Sequence, residues 1–435
     1  MPIWNPEYET MSRDKLGELQ LRRLQATVAW VYDNVPYYKR VMDERGARPR
    51  DVKSLEDLRK LPLTDKTALR DTYPFGLFAV PLDDVVRIHS SSGTTGKPIV
   101  VGYTRGDIAT WTELTARVAS AAGVVHTDLA QMAFGYGMFT GGFGMHYGLE
   151  RVGATVIPAS AGNTERHIMM MQDFGTTVLV STPSYALYMG EVAESMGVDF
   201  SVLPLRLGLF GAEPCLEAAR KEIQEKLRIV ATDNYGLSEV MGPGVAGECE
   251  CACGLHIAED HFLWEIVDPE TGEPLGEGEE GELVITPLTK EAFPVLRYRT
   301  HDLTRITTER CDCGRTMARM DKVRQRTDDM LIIRGVNVFP TQIEDVLFNI
   351  EGVRPHYLIV VDRKHGLDDM EVRIEVAEEV FSDIMADMVT FTKHVAERLY
   401  GVIGLHVKVT LVEPGSIERT AGKAKRVLDI REDGC

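Results

Sequence analysis

An α/β fold with mostly parallel sheets, followed by a smaller α+β unit, is what the residue pattern predicts. Two observations carry this. Short apolar strands alternate with helix-like stretches between Val85 and Thr232, and beyond Asp328 the texture changes to a compact run of strands around a helix. The chain has 435 residues, 44% of them apolar, enough to bury the cores of two or three domains.

Taken in order, the segment from Ser12 reads as an amphipathic helix. Leu21, Leu24, Val28 and Val31 share one face, and the helix ends before Asn34-Val35-Pro36. Strands are expected at Val85 to His89, Ala154 to Pro158, Thr177 to Ser181, Leu207 to Phe210 and Ile229 to Thr232. In such folds ligands sit beyond the carboxyl ends of the strands. The turn-rich run from Asp268 to Gly281 separates two further strands, Phe262 to Val267 and Glu282 to Thr286, as in a β-hairpin. A domain boundary is placed near Asp328, dividing the chain into 1–327 and 328–435. The second part should hold a strand at Met330 to Ile333, a helix from Thr341 to Ile350, and strands near Tyr357 to Val361, Val372 to Val376 and Val407 to Val412.

Bulk properties narrow the function. A formal net charge of -18 argues against a surface that wraps nucleic acid, so any anionic ligand must be held by local donors. The N-terminal residues lack the charged-then-apolar pattern of a signal peptide, no stretch approaches the apolar length of a membrane span, and the expected compartment is the cytoplasm. The seven cysteines do not form a disulfide framework: Cys249, Cys251 and Cys253 cluster, as do Cys311 and Cys313, while Cys215 and Cys435 stand alone. Close C-x-C pairs in a cytosolic chain point to a metal or to reduced thiols. Zn²⁺ takes four N or S ligands, and Cys249, His256, Cys311 and Cys313 could supply a closed Cys₃His set, with Cys251 and Cys253 as competitors.

The run S-S-S-G-T-T-G-K-P, from Ser90 to Pro98, carries the parts of a triphosphate cradle. Ser90, Ser91, Ser92, Thr94 and Thr95 supply hydroxyl donors, Gly93 and Gly96 let the backbone approach an anion, and Lys97 adds a cation. It is not a Walker loop. Only two residues separate its glycines, Pro98 follows the lysine, and Ile99-Val100-Val101 reads as a strand rather than a helix. A plain hairpin turn would need some of these residues but not all of them together.

This loop closely resembles the phosphate loop of the adenylate-forming superfamily, and further motifs follow in that family's order. Phe210-Gly211-Ala212-Glu213-Pro214 resembles the segment beside the adenine. Asp233-Asn234-Tyr235-Gly236-Leu237-Ser238-Glu239 resembles the Y-G-x-T-E motif, with Ser238 in place of Thr. The resemblance implies that Tyr235 stacks near the adenine and that Glu239 helps hold Mg²⁺ on the phosphates, a role suited to a carboxylate. Tyr298 to Asp302 resembles the segment whose Asp accepts hydrogen bonds from the ribose hydroxyls. His301 stands where the family has Gly, and no catalytic role is expected of it. In the segment Arg324 to Pro340, Arg326 is implied to contact ribose or phosphate, Asp328 to be the hinge, and the loop around Gly335 to serve coenzyme A. Lys423, within Glu418 to Arg426, matches the lysine of the adenylation step.

The fold so implied has a large N-terminal α/β domain, of sheets plus a small β-barrel-like part, and a small mobile α+β C-terminal domain. Within the superfamily, Tyr37 to Arg40, Phe134 to Gly144, Met241 to Val245, Glu259 to Phe262 and Ile333 to Pro340 are similar to the phenylacetate-CoA ligase branch. That branch activates an aryl acid, phenylacetate above all, with ATP and Mg²⁺ and transfers the acyl group to coenzyme A. A homodimer is implied as well. Tyr136, Phe139, Phe143, Ala212, Gly236 and Pro243 are the expected walls of the acid pocket, since an apolar acid needs apolar and aromatic surroundings. Two other readings share some of these motifs: adenylylation of a deazaflavin, as in coenzyme F390 synthetase, and a non-catalytic protein that binds nucleotide and zinc. Lys423, Glu239 and Asp302 together exceed what a mere binder needs.

Overall fold

The computed structural model describes residues 3–91, 98–364, 367–377, 385–420 and 422–431. The first long helix, Arg13–Asn34, forms where the apolar spacing places it, and Val35 closes it before Pro36 opens the next helix. Leu24, Val28 and Val31 are fully buried, Leu21 only partly, and Leu16 and Leu19 extend the same buried face toward the N-terminus.

A nine-stranded sheet forms the middle of the large domain. Its strands run in the order Ile306–Thr307, Arg319–Met320, Leu255–Ile257, Gly242–Glu248, Val230–Leu237, Leu207–Gly211, Val178–Ser181, Leu129–Met132 and Thr155–Ile157. The five strands from Val230–Leu237 to Thr155–Ile157 are parallel and the other pairs antiparallel. Leu129–Met132 has no counterpart in the apolar pattern because Gln131 interrupts it. That side chain is buried, yet it donates to His167 Nδ1 at 2.8 Å and accepts from Thr176 Oγ1 at 3.0 Å, so the sheet tolerates it.

Two expected elements differ from the sequence reading. Arg87–Ser90 is not a strand of the parallel sheet; it pairs antiparallel with Val100–Tyr103 in a separate two-stranded hairpin. The strand expected to end at Thr232 runs on to Leu237, because partners distant in sequence satisfy its polar residues. The part expected to be barrel-like is a four-stranded antiparallel sheet, ordered Phe262–Val267, Gly281–Pro287, Tyr298–Thr304 and Gln325–Arg326.

Beyond Leu331 a separate core gathers Ile333, Ile343, Leu347, Tyr357, Ile359, Val372, Ile374, Val395 and Leu399. It lies between the helices Pro340–Phe348 and Met385–Ile403 and a four-stranded mixed sheet ordered Lys408–Val412, Leu367–Val376, Val353–Lys364, Val427–Asp429. The second helix and the last strand were not anticipated. Among the described residues no helix is long and apolar enough to cross a membrane.

Candidate active site

The hairpin Arg87–Ser90 and Val100–Tyr103 holds the neck of the Ser/Thr/Gly loop. The Ser91 amide donates to the Ile99 carbonyl at 3.0 Å, and the Ile99 amide donates to Ser91 Oγ at 3.1 Å. Ser92, Gly93, Thr94, Thr95, Gly96 and Lys97 lie outside the described residues. The Ser90 amide and His89 Nδ1 both approach the Met138 carbonyl, each at 3.0 Å. Since a carbonyl only accepts, His89 carries its proton on Nδ1. The base of the loop is thereby tied to the segment 134–144.

That segment leads into the helix Thr140–Val152, whose face builds an aromatic wall with the hairpin. Tyr136 and Phe143 meet edge-on at 5.3 Å, Phe143 stacks on Tyr147 at 6.2 Å, and His89 meets Phe143 at 5.9 Å. The Arg87 guanidinium lies 5.0 Å from the Phe143 ring centre and 4.9 Å from that of Tyr147. Tyr136 is further held by a 2.8 Å hydrogen bond between its hydroxyl and His146 Nδ1. Phe139, by contrast, is 55% exposed and lies at the rim. Against this helix packs the antiparallel pair Gly236 and Pro243, with Pro243 seated on Gly144. A Cβ on Gly236 would meet the Gly242 carbonyl oxygen at 1.9 Å, so only glycine fits there. Trp111 donates to the Pro243 carbonyl at 2.8 Å, and Tyr103, stacked on Trp111, donates to the Met241 carbonyl at 2.7 Å. Arg87, His89, Trp111, His146 and Tyr147 escaped the sequence reading. His146 and Tyr147 lie three and four residues after Phe143, a spacing that could have placed them on its face.

One residue before Gly236 on the strand Val230–Leu237, the Tyr235 hydroxyl donates to Asp302 Oδ2 at 2.5 Å, and Arg326 Nη1 donates to Asp302 Oδ1 at 2.5 Å. Asp302 and Arg326 are register partners, and Asp302 is 2% exposed. Each carboxylate oxygen can accept twice, so each retains one further acceptor site. Burial pushes the Asp302 carboxyl up while the Arg326 charge pulls it back. His301, at the position where Gly was expected, has φ +65, in the left-handed region. It sits beside a β-bulge and is clamped: its amide donates to Glu282 Oε1 at 3.1 Å, and Nδ1 lies 3.0 Å from Thr327 Oγ1. These contacts fix the backbone between Thr300 and Asp302.

Asp328 is bound by Lys66 Nζ at 2.6 Å and by Arg326 Nε at 3.1 Å. Burial alone would raise its carboxyl, but these two cations pull it down to about 2, so it stays ionised at neutral pH. Asp233 behaves in the opposite way. Burial and the neighbouring Glu248, itself paired with Arg220 at 3.0 Å and Lys322 at 3.3 Å, push it up to about 7. Asn234 Nδ2 donates to the Phe210 carbonyl at 2.5 Å, which fixes Gly211 and Ala212 beside the strand; Ala212 has φ +72. Ser238 Oγ lies 3.0 Å from Thr140 Oγ1, linking the motif to the aromatic helix. Glu239 is buried, and among the described residues its carboxylate accepts no hydrogen bond and pairs with no cation. A carboxylate with no such partner is the hard oxygen donor that Mg²⁺ takes.

Glu213, expected on the nucleotide, has both oxygens engaged by backbone amides, those of Ser184 at 2.7 Å and Ala424 at 3.0 Å. Gly335, with φ +81, follows Arg334 at φ +51 in a two-residue turn between Leu331–Ile333 and Val336–Val338, the conformation that suits a tight hairpin. Arg334 ties this turn to the Asp368 carbonyl at 2.6 Å, within the C-terminal domain. Lys423 is exposed, on the loop whose neighbours touch the large domain at Thr182, Ser184 and Glu213.

Away from this cleft the structure brings together Cys249, His256, Cys311 and Cys313, all buried, with ligand atoms within 4.8 Å of one another. Cys249 Sγ and Cys311 Sγ are 3.7 Å apart, and Cys313 Sγ is 3.4 Å from His256 Nε2. A tetrahedron with bonds of about 2.3 Å to sulfur has edges of roughly 3.8 Å, so the set fits a zinc ion. Cys253 also approaches Cys311, at 3.5 Å, but is exposed.

Known proteins resemble this chain over nearly its whole length. Residues 20–287 match the AMP-binding enzyme family and residues 335–431 its C-terminal domain. A phenylacetate-coenzyme A ligase of Thermus thermophilus is 50% identical, over 99% of this chain and all of that protein. The crystal structure of 2-hydroxyisobutyryl-CoA ligase in its postadenylation state, bound to R3-HIB-AMP, superimposes with a TM-score of 0.91 at 30% identity, covering 98% of this chain and 92% of the other. The same enzyme with CoA in the thioesterification state gives 0.73, covering 99% and 93%. The chain belongs to the AMP-binding enzymes and, among them, to the phenylacetate-coenzyme A ligase family.

Proposed function

We propose that the protein ligates an aryl acid, phenylacetate first among them, to coenzyme A at the expense of ATP. The carboxylate attacks the α-phosphorus and pyrophosphate leaves; the coenzyme A thiol then attacks the acyl carbon and AMP leaves. One observation carries this: Tyr235, on the Asp302 and Arg326 side, and Gly236, on the aromatic pocket side, are consecutive residues of one strand. The two ends of an acyl-adenylate would therefore meet within one strand step, about 3.3 Å. Asp302 would hold the ribose hydroxyls and Arg326 the ribose or phosphate, while Gly211, Ala212, Asp233, Asn234 and Tyr235 border the adenine. The loop from Ser90 to Lys97 would hold the β- and γ-phosphates as part of the leaving group. Glu239 would hold Mg²⁺, which supplies charge neutralisation on those phosphates.

Aromatic lining favours an aryl over an alkyl acid, and the 50% identity to a phenylacetate-coenzyme A ligase favours the CoA thioester over deazaflavin adenylylation or binding without catalysis. The likeness to the postadenylation form of a CoA ligase supports reading the present arrangement as the one for adenylation. Rotation about Asp328 would then withdraw Lys423 and bring the Gly335 turn toward the cleft. A screen of aryl and alkyl acids with ATP, with and without CoA, should release pyrophosphate fastest with phenylacetate and give AMP and thioester once CoA is added. No AMP with any aryl acid would reject the reading.

The same proposal assigns Cys249, His256, Cys311 and Cys313 to a structural zinc that ties together two chain segments about sixty residues apart. Metal analysis of protein purified without chelator should return one zinc per chain, and chelation should lower the melting temperature. Zinc-free protein of full stability contradicts the assignment.

A further inference from the structure

Lys423 lies between two residues whose backbones the large domain grips. The Gly422 carbonyl accepts from Thr182 Oγ1 at 3.3 Å and from Ser184 Oγ at 3.4 Å. On the other side of the lysine, the Ala424 amide donates to Glu213 Oε2 at 3.0 Å. The second oxygen of Glu213 accepts the Ser184 amide at 2.7 Å, one of the donors that the first turn of the helix Pro183–Ser195 leaves unpaired. A single carboxylate thus bridges a helix N-terminus, where negative charge is favoured, and the residue after the lysine. The same helix holds the C-terminal domain again at Glu191, whose Oε1 accepts from His356 Nε2 at 2.8 Å and whose Oε2 lies 3.6 Å from Arg419.

We propose that Glu213 is a positioning residue for the adenylation step, holding Ala424 so that Lys423 faces the α-phosphate, and that this contact must break before thioester formation. The proposal rests on reading Lys423 as the adenylation lysine. The Glu213 contact with Ala424 spans the two domains, so it exists in one domain arrangement and its free energy weights that arrangement over the other. With its backbone fixed on both sides, the lysine has only its own side-chain torsions left to order, and fewer states dilute the productive one.

The test separates the half-reactions in single-turnover measurements. Acyl-adenylate formation is followed from ATP and phenylacetate, and thioester formation from supplied phenylacetyl-adenylate and CoA. In Glu213→Gln the first rate should fall about 10- to 100-fold, the ratio that corresponds to one charge-assisted hydrogen bond, with KM for ATP unchanged. The second rate should be unchanged or faster. Ala424→Pro, which deletes the amide in question and leaves the helix cap intact, should behave alike. A raised KM for ATP would make Glu213 a nucleotide contact and overturn the proposal. Equal loss of both rates with a lowered melting temperature would reduce it to a helix cap. If Lys423→Ala stops adenylation while Glu213→Gln does not, Glu213 loses its role and the lysine keeps its own; if Lys423→Ala adenylates normally, the lysine assignment itself falls.

Discussion

Lys423→Ala is expected to lose adenylation by about 10²- to 10³-fold, the scale of one preorganised donor on developing negative charge, while still converting supplied phenylacetyl-adenylate and CoA to thioester. As the carboxylate bonds to the α-phosphorus and pyrophosphate departs, charge grows on the phosphate oxygens. A fixed ammonium stabilises that charge more in the transition state than in the ground state. Once the adenylate exists the lysine has no such work, and rotation about Asp328 would carry it away. Quenched-flow measurement of enzyme-bound adenylate reads the first step, and thioester absorbance reads the second. Loss of both to the same degree would contradict an alternating use of the C-terminal domain. The exposed position of Lys423 predicts that its removal leaves the melting temperature unchanged, so loss of fold cannot mimic loss of chemistry.

Asp302→Ala should have the second large effect, and on two quantities at once. It removes the acceptor of both the Tyr235 hydroxyl and the Arg326 guanidinium, leaving one buried hydroxyl and one partly buried cation without that partner. Arg326 keeps Asp328 and Asp329 as partners, so the cost should fall below the roughly 3–5 kcal/mol of a fully orphaned buried charge and still appear as a lowered melting temperature. ATP binding should weaken as well, since the two ribose hydroxyls lose a charged acceptor, each such bond being worth roughly 1.5–3 kcal/mol. Asp302→Asn separates the two effects. The amide keeps the shape and one acceptor oxygen, so it should recover more of the stability than of the ATP affinity. Calorimetric ATP binding alongside thermal unfolding makes the comparison. An Asn variant with wild-type ATP affinity would remove Asp302 from the ribose site.

The cluster of Tyr235, Asp302 and Arg326 was foreshadowed in the sequence because its residues come in short contiguous runs with fixed chemistry. Asp233 to Glu239, Tyr298 to Asp302 and Arg324 to Asp328 each place several polar groups within one or two strand steps, and the strands then bring Tyr235, Asp302 and Arg326 within hydrogen-bonding distance. The metal-ligand set was legible to the extent that Cys and His have few other reasons to cluster. Spacing could not choose among Cys249, Cys251 and Cys253, since residues two apart on a strand or turn are equally near in sequence. Packing distinguishes them: Cys249 is buried beside Cys311, and Cys253, also near Cys311, is exposed.

What the sequence by itself determined about this protein is the α/β class, the helix Arg13–Asn34, the strands with uninterrupted apolar runs, and the identity and order of the nucleotide motifs. Periodicity and local chemistry suffice for these. Only the tertiary structure decided the rest. It put the strand Arg87–Ser90 into a hairpin outside the parallel sheet, where Arg87 and His89 join Tyr136, Phe143 and Tyr147 about fifty residues away. It retained Leu129–Met132 as a strand by satisfying Gln131, and it made Glu213 a bridge between the helix at Pro183 and the loop of Lys423. In each case a polar group found its partner at long sequence range. A buried hydrogen bond is compulsory in energy yet leaves no period in the sequence, so its partner is known only once the chain is folded.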